Sequence, residues 1–164
     1  MSSPITAADV DEAADRLGPV VRRTPLEQSE RLSQRLGVPV WLKREDLQLC
    51  RSYKVRGAYA VIAALGPEER ARGVVCASAG NHGQGVAYAC HQLGIRGRVF
   101  LPGTTPRQKR QRIVAIGGDW IEPVIAGSSY DEASAAAHDD SERTGAVYVH
   151  PFDDARTIIG QGTI

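Results

Sequence analysis

One lysine lies where a helix is expected to begin, and its neighbours suit it to covalent chemistry. Lys54 falls within residues 51–58, between Arg51 and Arg56. Positive charges close to an amine favour its neutral form, which is the form that attacks a carbonyl carbon. The segment is therefore a candidate for covalent binding of a carbonyl compound. A solvated lysine at a helix start is the alternative that this segment alone leaves open.

A turn rich in small residues is the second candidate. Residues 78–83 read Ser-Ala-Gly-Asn-His-Gly and follow the apolar run at 74–77. Small side chains at the carboxyl end of a parallel strand let backbone N–H groups converge at a helix N-terminus, where they and the helix dipole attract an anion. The turn is thus a candidate site for a carboxylate or a phosphate. The alternative is an ordinary strand-to-helix loop in which Asn81 caps the helix.

Other motifs argue against nucleotide, metal and nucleic-acid sites. A dinucleotide fingerprint starting at Gly83 would need its third glycine where Tyr88 stands, and no P-loop sequence occurs. The histidines are spaced too widely to predict a metal site; they are His82, His91, His138 and His150. A basic cluster at the start of the predicted helix 106–116 is interpreted as a solvated helix face. It consists of Arg107, Lys109, Arg110 and Arg112.

The elements that must position these residues alternate along the chain. Predicted helices cover residues 6–17, a short stretch within 26–36, and then 55–65, 81–93, 106–116 and 130–143. Predicted strands cover 38–43, 74–77, 98–101, 120–125 and 146–149. Strands separated by helices of this length indicate βαβ units. The predicted fold class is therefore α/β, with an open, parallel, twisted sheet and flanking helices.

Composition sets the outer bounds. The chain has 164 residues, 42% of them hydrophobic and 24% charged, with a formal net charge of +1. This is the usage of a globular domain, without a field that would attract nucleic acid or a membrane surface. No signal-peptide or membrane-spanning pattern is predicted, and Cys50, Cys76 and Cys90 are interpreted as reduced thiols. We expect a cytoplasmic protein with no nucleic-acid or membrane partner.

Three motifs, in this order, carry a resemblance that covers the chain from Thr24 onward. They are Trp-Leu-Lys-Arg-Glu-Asp-Leu-Gln at 41–48, Ser-Tyr-Lys-Val-Arg-Gly-Ala-Tyr at 52–59 and Ser-Ala-Gly-Asn-His-Gly-Gln-Gly at 78–85. Pro-Phe-Asp at 151–153 and Gly-Gln-Gly-Thr at 160–163 fit as well. Together they resemble the fold-type-II pyridoxal-phosphate-dependent enzymes (the tryptophan synthase β-like family). Within that family the similarity is to the biosynthetic threonine dehydratases, or threonine ammonia-lyases.

The resemblance implies a role for each matching residue. Lys54 would be the catalytic lysine that forms the internal aldimine with pyridoxal 5′-phosphate, and Asn81 would hydrogen-bond the 3′-oxygen of this cofactor. The loop for the substrate carboxylate would comprise Ser78, Ala79, Gly80, Asn81 and His82. The implied reaction converts L-threonine to 2-oxobutanoate and ammonia, as in isoleucine biosynthesis, through abstraction of the α-proton and β-elimination of hydroxide. Serine is a further implied substrate, and the family implies a homo-oligomer.

Position 79 separates two branches of this family. The related serine racemases carry Ser-Ser-Gly-Asn, in which the second serine acts as acid and base on the opposite face of the substrate. This chain has Ala79 there. A base on one face only permits elimination and impairs racemisation, so we expect a dehydratase, with a relative of serine dehydratase or serine racemase as the alternative.

The resemblance also divides the chain. Residues 1–44 match an N-terminal segment of the family's large domain, 45–150 its small α/β domain, and 151–164 the return to the large domain. The family's glycine run for the cofactor phosphate, and the Ser or Thr facing the pyridine nitrogen, have no match in these 164 residues. We therefore expect a fragment of the enzyme that by itself binds the cofactor weakly. The alternative function is a catalytically silent folded domain.

Overall fold

The computed structural model describes residues 4–164, so the first three residues of the predicted segment 1–44 lie outside the described residues. Its centre is a four-stranded parallel sheet with the strand order β5-β4-β3-β6. A separate antiparallel pair joins β1 and β2, with Leu26 opposite Lys43. The α/β class and the parallel sheet are confirmed.

The elements follow one another with short connections. The helices are α1 (Ala7–Leu17), α2 (Glu30–Leu36), α3 (Lys54–Ala63), α4 (Pro67–Arg72), α5 (Asn81–Leu93), α6 (Arg107–Gly117), α7 (Tyr130–Thr144) and α8 (Ala155–Gly162). The strands are β1 (Leu26–Gln28), β2 (Trp41–Lys43), β3 (Val74–Ala77), β4 (Gly97–Leu101), β5 (Ile121–Ile125) and β6 (Val147–Tyr148). Short 3-10 turns lie at Glu45–Leu47, Leu49–Arg51 and Gly118–Trp120.

Local sequence explains where several helices begin and end. Thr6 and Asp9 form a reciprocal capping box at the start of α1. Ser29 caps α2, and Gly37 ends it in the left-handed conformation with φ of 70°. The helix α6 ends differently: Gly117 has a φ of −86°, and the residue with a positive φ is Gly118 at 54°.

The core lies on both faces of the sheet, because successive residues of a strand point to opposite sides. On one face, Val74 and Cys76 pack with residues of α3, α5 and α6. On the other, Val75 and Ala77 pack against α7. All four residues of β3 are buried, as expected for a central strand covered on both faces. This sandwich fixes the carboxyl ends of the strands, where the candidate residues lie.

Candidate functional site

The start of α3 carries the candidate lysine. The amine of Lys54 donates a hydrogen bond to the carbonyl oxygen of Pro151 at 2.7 Å. The same Nζ atom lies 5.0 Å from the centroid of the Tyr53 ring. The backbone N–H of Lys54 donates to Ser52 Oγ at 3.2 Å. Lys54 is half-buried and held in place at the edge of the sheet, so it differs from the free solvated lysine of the alternative interpretation.

The two arginines beside Lys54 lie in different surroundings. Arg56 is buried, and it donates from Nε and from Nη2 to the two carboxylate oxygens of Glu45, each at 2.9 Å. A guanidinium paired in this way has its charge compensated by the carboxylate. Arg51 is exposed. Arg56 therefore anchors α3 to the 3-10 turn at Glu45–Leu47. It does not supply an uncompensated positive charge to Lys54.

The turn after β3 leads directly into α5, as predicted. Ser78 Oγ accepts a hydrogen bond from the backbone N–H of Gly80 at 3.2 Å. Gly80 precedes the helix, and no heavy atom lies within 4 Å of where a Cβ atom would stand at this position. Among residues 4–164, the carboxamide of Asn81 makes no hydrogen bond, and its side chain is exposed. The turn therefore offers free donors beside open space.

His82 brings the turn and the lysine to the same stretch of backbone. Its Nε2 atom lies 2.8 Å from the carbonyl oxygen of Val149, which can only accept, so Nε2 carries the proton. Burial lowers the pKa of His82 to about 4, against a smaller opposing effect of this hydrogen bond, and the nearby Lys54 lowers it further. The ring is neutral at physiological pH. Its Nδ1 atom is buried and has no partner among the described residues, so it is a free acceptor.

The candidate residues meet at three consecutive carbonyl groups after β6, and no sequence motif predicted this meeting. His82 donates to the first carbonyl, Thr157 Oγ1 to the second at 3.0 Å, and Lys54 and Gln161 Nε2 to the third. The three acceptors are Val149, His150 and Pro151. The resemblance had included the runs that contain Pro151 and Gln161, but no chemical signal in either run indicated this contact.

Ala79 is a half-buried residue of the turn. Its methyl group packs against the hydrophobic cluster between the sheet and α5. The remaining residues of the predicted carboxylate loop are the buried Ser78 and His82, the half-buried Gly80 and the exposed Asn81. The structure thus joins Lys54 and His82 through neighbouring carbonyls and leaves Asn81 free.

Close packing under the turn leaves no room for a side chain at Gly83. A Cβ atom at this position would lie 2.7 Å from the carbonyl oxygen of Ser78 and 3.2 Å from Val99 Cγ1. We expect Gly83→Ala to lower the free energy of unfolding by about 1–3 kcal/mol, because the extra methyl group displaces the turn. Urea unfolding of the 164-residue chain measures this.

Gly103→Ala is the matched control for that substitution. Gly103 is exposed and lies outside the left-handed region, and its added Cβ would meet the carbonyl oxygen of Gly127 at 3.4 Å, an ordinary contact. The control should leave stability unchanged or raise it by up to about 1 kcal/mol. Equal midpoints for the two variants would show that the turn does not depend on the close approach at Gly83.

No group of three or more His, Cys, Asp or Glu side chains in residues 4–164 is arranged to hold a metal ion. Within the same residues, no helix combines the length and the apolar character that crossing a membrane requires.

Known proteins are similar to this chain along nearly its whole length. A family model described as "Pyridoxal-phosphate dependent enzyme" matches residues 17–164. The L-threonine dehydratase biosynthetic IlvA of Mycobacterium tuberculosis is 59% identical over 166 residues, covering 99% of this chain and 39% of that protein. The chain thus spans about two fifths of the length of such curated relatives, with 39% covered in the Bacillus subtilis protein as well.

Solved structures with the same fold include a threonine deaminase and a serine racemase. The processed form of threonine deaminase isoform 2 from Solanum lycopersicum is 40% identical with a TM-score of 0.84, and the match covers 100% of this chain and 48% of that one. Maize serine racemase is 33% identical with a TM-score of 0.87, and the match covers 95% of this chain and 46% of that one. Both resemble this chain closely in backbone path over at least 95% of its length.

Proposed function

The chain belongs to the family of pyridoxal-phosphate-dependent enzymes, and from this premise we propose that it is part of a threonine ammonia-lyase. The proposed enzyme converts L-threonine to 2-oxobutanoate and ammonia. The observation that carries the proposal is the meeting of the Lys54 amine and the α5 turn at the carbonyls of Val149 and Pro151. The chain's similarity to threonine dehydratases over 99% of its length supports this choice of substrate.

The residues present fit part of the cofactor. Lys54 offers an amine, Asn81 offers a carboxamide with no other partner in residues 4–164, and the buried Nδ1 atom of His82 is an unused acceptor. An amine for the aldehyde and a donor for the ring oxygen are the groups that pyridoxal phosphate needs from this edge of the sheet. We assign Lys54 and Asn81 to cofactor binding on this basis.

The proposed mechanism assigns separate tasks to the turn and to the lysine. Backbone N–H groups at the start of α5, with Ser78 and Asn81, bind the substrate carboxylate, since a helix N-terminus favours negative charge. The carboxylate loop as a whole comprises Ser78, Ala79, Gly80, Asn81 and His82. Lys54 Nζ then takes the proton from the α-carbon. When bound, pyridoxal phosphate withdraws the electron pair left on that carbon, which allows the β-hydroxyl group to leave.

The wider assignments follow from the same proposal. We assign residues 1–44 and 151–164 to a large domain and residues 45–150 to a small one. We further propose a homo-oligomer that acts in the cytoplasm, in isoleucine biosynthesis, on threonine and to a lesser extent on serine. The similarity to biosynthetic threonine dehydratases supports the pathway.

A serine racemase-like activity is the second candidate, because the backbone resembles that of maize serine racemase with a TM-score of 0.87. Racemisation needs an acid or base on each face of the α-carbon. Ala79 has no hydroxyl group, and its methyl group packs into the hydrophobic cluster. This favours elimination from one face.

A chimera as long as the curated relatives tests the proposal. In it, residues 1–164 replace the matching N-terminal part of the Mycobacterium tuberculosis protein, which is 59% identical. We expect the chimera, hereafter the family-length chimera, to form 2-oxobutanoate from L-threonine faster than pyruvate from L-serine. Accumulation of D-serine with no 2-oxobutanoate would favour the racemase instead.

Asn81→Ala in the family-length chimera should weaken cofactor binding and slow elimination. The variant loses one hydrogen bond to the ring oxygen, worth about 0.5–1.5 kcal/mol, so each effect should be about twofold to tenfold. Cofactor titration by absorbance and the rate of 2-oxobutanoate formation measure them. Gln92→Ala, an exposed residue near the other end of α5, is the control. Unchanged affinity and rate in Asn81→Ala would remove Asn81 from the cofactor site.

A further inference from the structure

The carbonyl oxygen of Pro151 is shared by two side chains. Lys54 Nζ donates to it at 2.7 Å, and Gln161 Nε2 donates to it at 3.0 Å. A carbonyl oxygen has two lone pairs and can accept both hydrogen bonds at once. Pro151 is buried, and its backbone has no other donor among the described residues. Within residues 4–164, Gln161 is therefore the one other side chain that donates to the acceptor of Lys54.

Gln161 is held in this position by unusually close helix packing. The helices α3 and α8 touch at Gly57 and Gly160, where a Cβ atom on Gly160 would lie 2.9 Å from the Cα atom of Gly57. A Cβ atom on Gly57 would lie 3.0 Å from Gln161 Cγ and Nε2. The carboxamide is thus packed against the first turn of the helix that Lys54 begins, which limits its other conformations.

The Pro151 carbonyl loses one of its two donors when Lys54 reacts. An amine that condenses with an aldehyde gives up both N–H hydrogens, which leave with the aldehyde oxygen as water. It can then no longer donate to Pro151 as before. A buried carbonyl left without any donor is costly, whereas one that keeps a second donor is not. Gln161 supplies that second donor.

We propose that Gln161 is a positioning residue for Lys54. It keeps its hydrogen bond to the Pro151 carbonyl, so that the Lys54 amine can leave this carbonyl and react. The proposal rests on the role assigned to Lys54 above. Without the carboxamide, Pro151 depends on Lys54 alone, and the amine stays bound to it. Gln161 acts through the carbonyl and touches neither substrate nor cofactor in this scheme.

Thr157→Val provides a control from the same helix. Thr157 Oγ1 donates to the neighbouring carbonyl of His150 at 3.0 Å and is fully buried. Thr157→Val, like the loss of the Gln161 carboxamide, removes one hydrogen bond from α8 to this run of carbonyls, but it leaves the acceptor of Lys54 unchanged. A merely structural role for Gln161 would make the two variants alike.

Competitive acetylation of the 164-residue chain measures the release of Lys54 without the cofactor. The amine lone pair attacks acetic anhydride, the amine loses a proton, and acetate leaves. The chain contains three lysines, so the exposed Lys109 is an internal standard for Lys54 in the same sample. Mass spectrometry of the digested chain gives the ratio. A second reading traps pyridoxal phosphate on the same lysines with borohydride.

We expect Gln161→Met, of similar size but with no donor, to lower the ratio of Lys54 to Lys109 by about fivefold or more in both readings. Gln161→Glu should lower it at least as far, and Thr157→Val should leave it within about twofold of the unsubstituted chain. Circular dichroism confirms that each variant is folded. An unchanged or raised ratio in folded Gln161→Glu or Gln161→Met overturns the proposal. An unsubstituted chain trapped mainly at Lys43 or Lys109 would instead contradict the role of Lys54.

Discussion

Replacing Lys54 by alanine in the family-length chimera should abolish the formation of 2-oxobutanoate from threonine. The variant lacks the amine to which we assign both cofactor binding and removal of the α-proton, and a positioned base alone contributes about 10²–10⁴-fold. We expect a loss of at least about 10³-fold, together with loss of the visible absorbance of lysine-bound cofactor. A coupled assay for 2-oxobutanoate and an absorbance spectrum measure the two effects.

The control for this substitution is Lys109→Ala, which removes an exposed lysine on α6. It should leave rate and spectrum unchanged. Among residues 4–164, the Lys54 amine donates a hydrogen bond only to Pro151, so Lys54→Ala should keep the fold, as judged by circular dichroism. Threonine turnover near the unsubstituted level in a folded Lys54→Ala variant would remove Lys54 from the reaction.

Replacing Arg56 by methionine should destabilise the chain more than any surface substitution. Arg56 and Glu45 form a buried ion pair, with only 5% and 10% of their side chains exposed. Thr24 also donates to Glu45 at 2.6 Å, and Arg56 donates to the carbonyl oxygen of Thr163 at 3.1 Å. The substitution leaves a buried carboxylate without its partner, so we expect a loss of about 3–5 kcal/mol in the free energy of unfolding.

Urea unfolding at neutral pH measures this loss, with two variants for comparison. Arg16→Met breaks the ion pair to Glu12, in which both side chains are mostly exposed, and should cost no more than about 1 kcal/mol. The double variant Arg56→Met with Glu45→Met removes both charges and should recover much of the loss. A cost for Arg56→Met as small as that for Arg16→Met would show that the pair does not anchor α3.

The ion pair between Arg56 and Glu45 also predicts how stability depends on pH. Burial raises the pKa of Glu45, but the hydrogen bonds from Arg56 and Thr24 outweigh it and hold the pKa below the ordinary 4.5. A group whose pKa is lowered on folding contributes stability above its unfolded pKa and loses it as the pH falls. The stability gained from the pair should therefore decline below about pH 4.5, and the double variant should lack this part of the decline.

The central strand of the sheet was predictable from sequence because it is buried on both faces. Residues 74–77 read as one apolar run, and β3 occupies this range in the structure. The predicted strand 38–43 is shorter, because only Trp41–Lys43 pair with β1. Its alternating residues include Val38 and Leu42, both exposed in these 164 residues. An alternating pattern indicates a strand but not how much of it finds a partner.

The candidate site was predictable only where a local signal existed. Asn81 and the glycines around it indicated a turn into a helix, and the turn lies where expected. Arg56 was expected to act on Lys54, but its partner Glu45 lies in a turn whose contacts no periodicity predicts. Gln161 reaches Pro151 because two helices cross at glycines, and contacts between distant segments leave no local pattern in a sequence.

The location of the cofactor tests the central claim most directly. Pyridoxal phosphate bound to the family-length chimera is reduced with borohydride, which fixes it to the amine that holds it, and the digested protein is analysed by mass spectrometry. Within residues 1–164, we expect the added mass on the peptide containing Lys54, and none on the peptides containing Lys43 and Lys109. Its absence from the Lys54 peptide, with the mass on any other lysine, would contradict the assignment of the site.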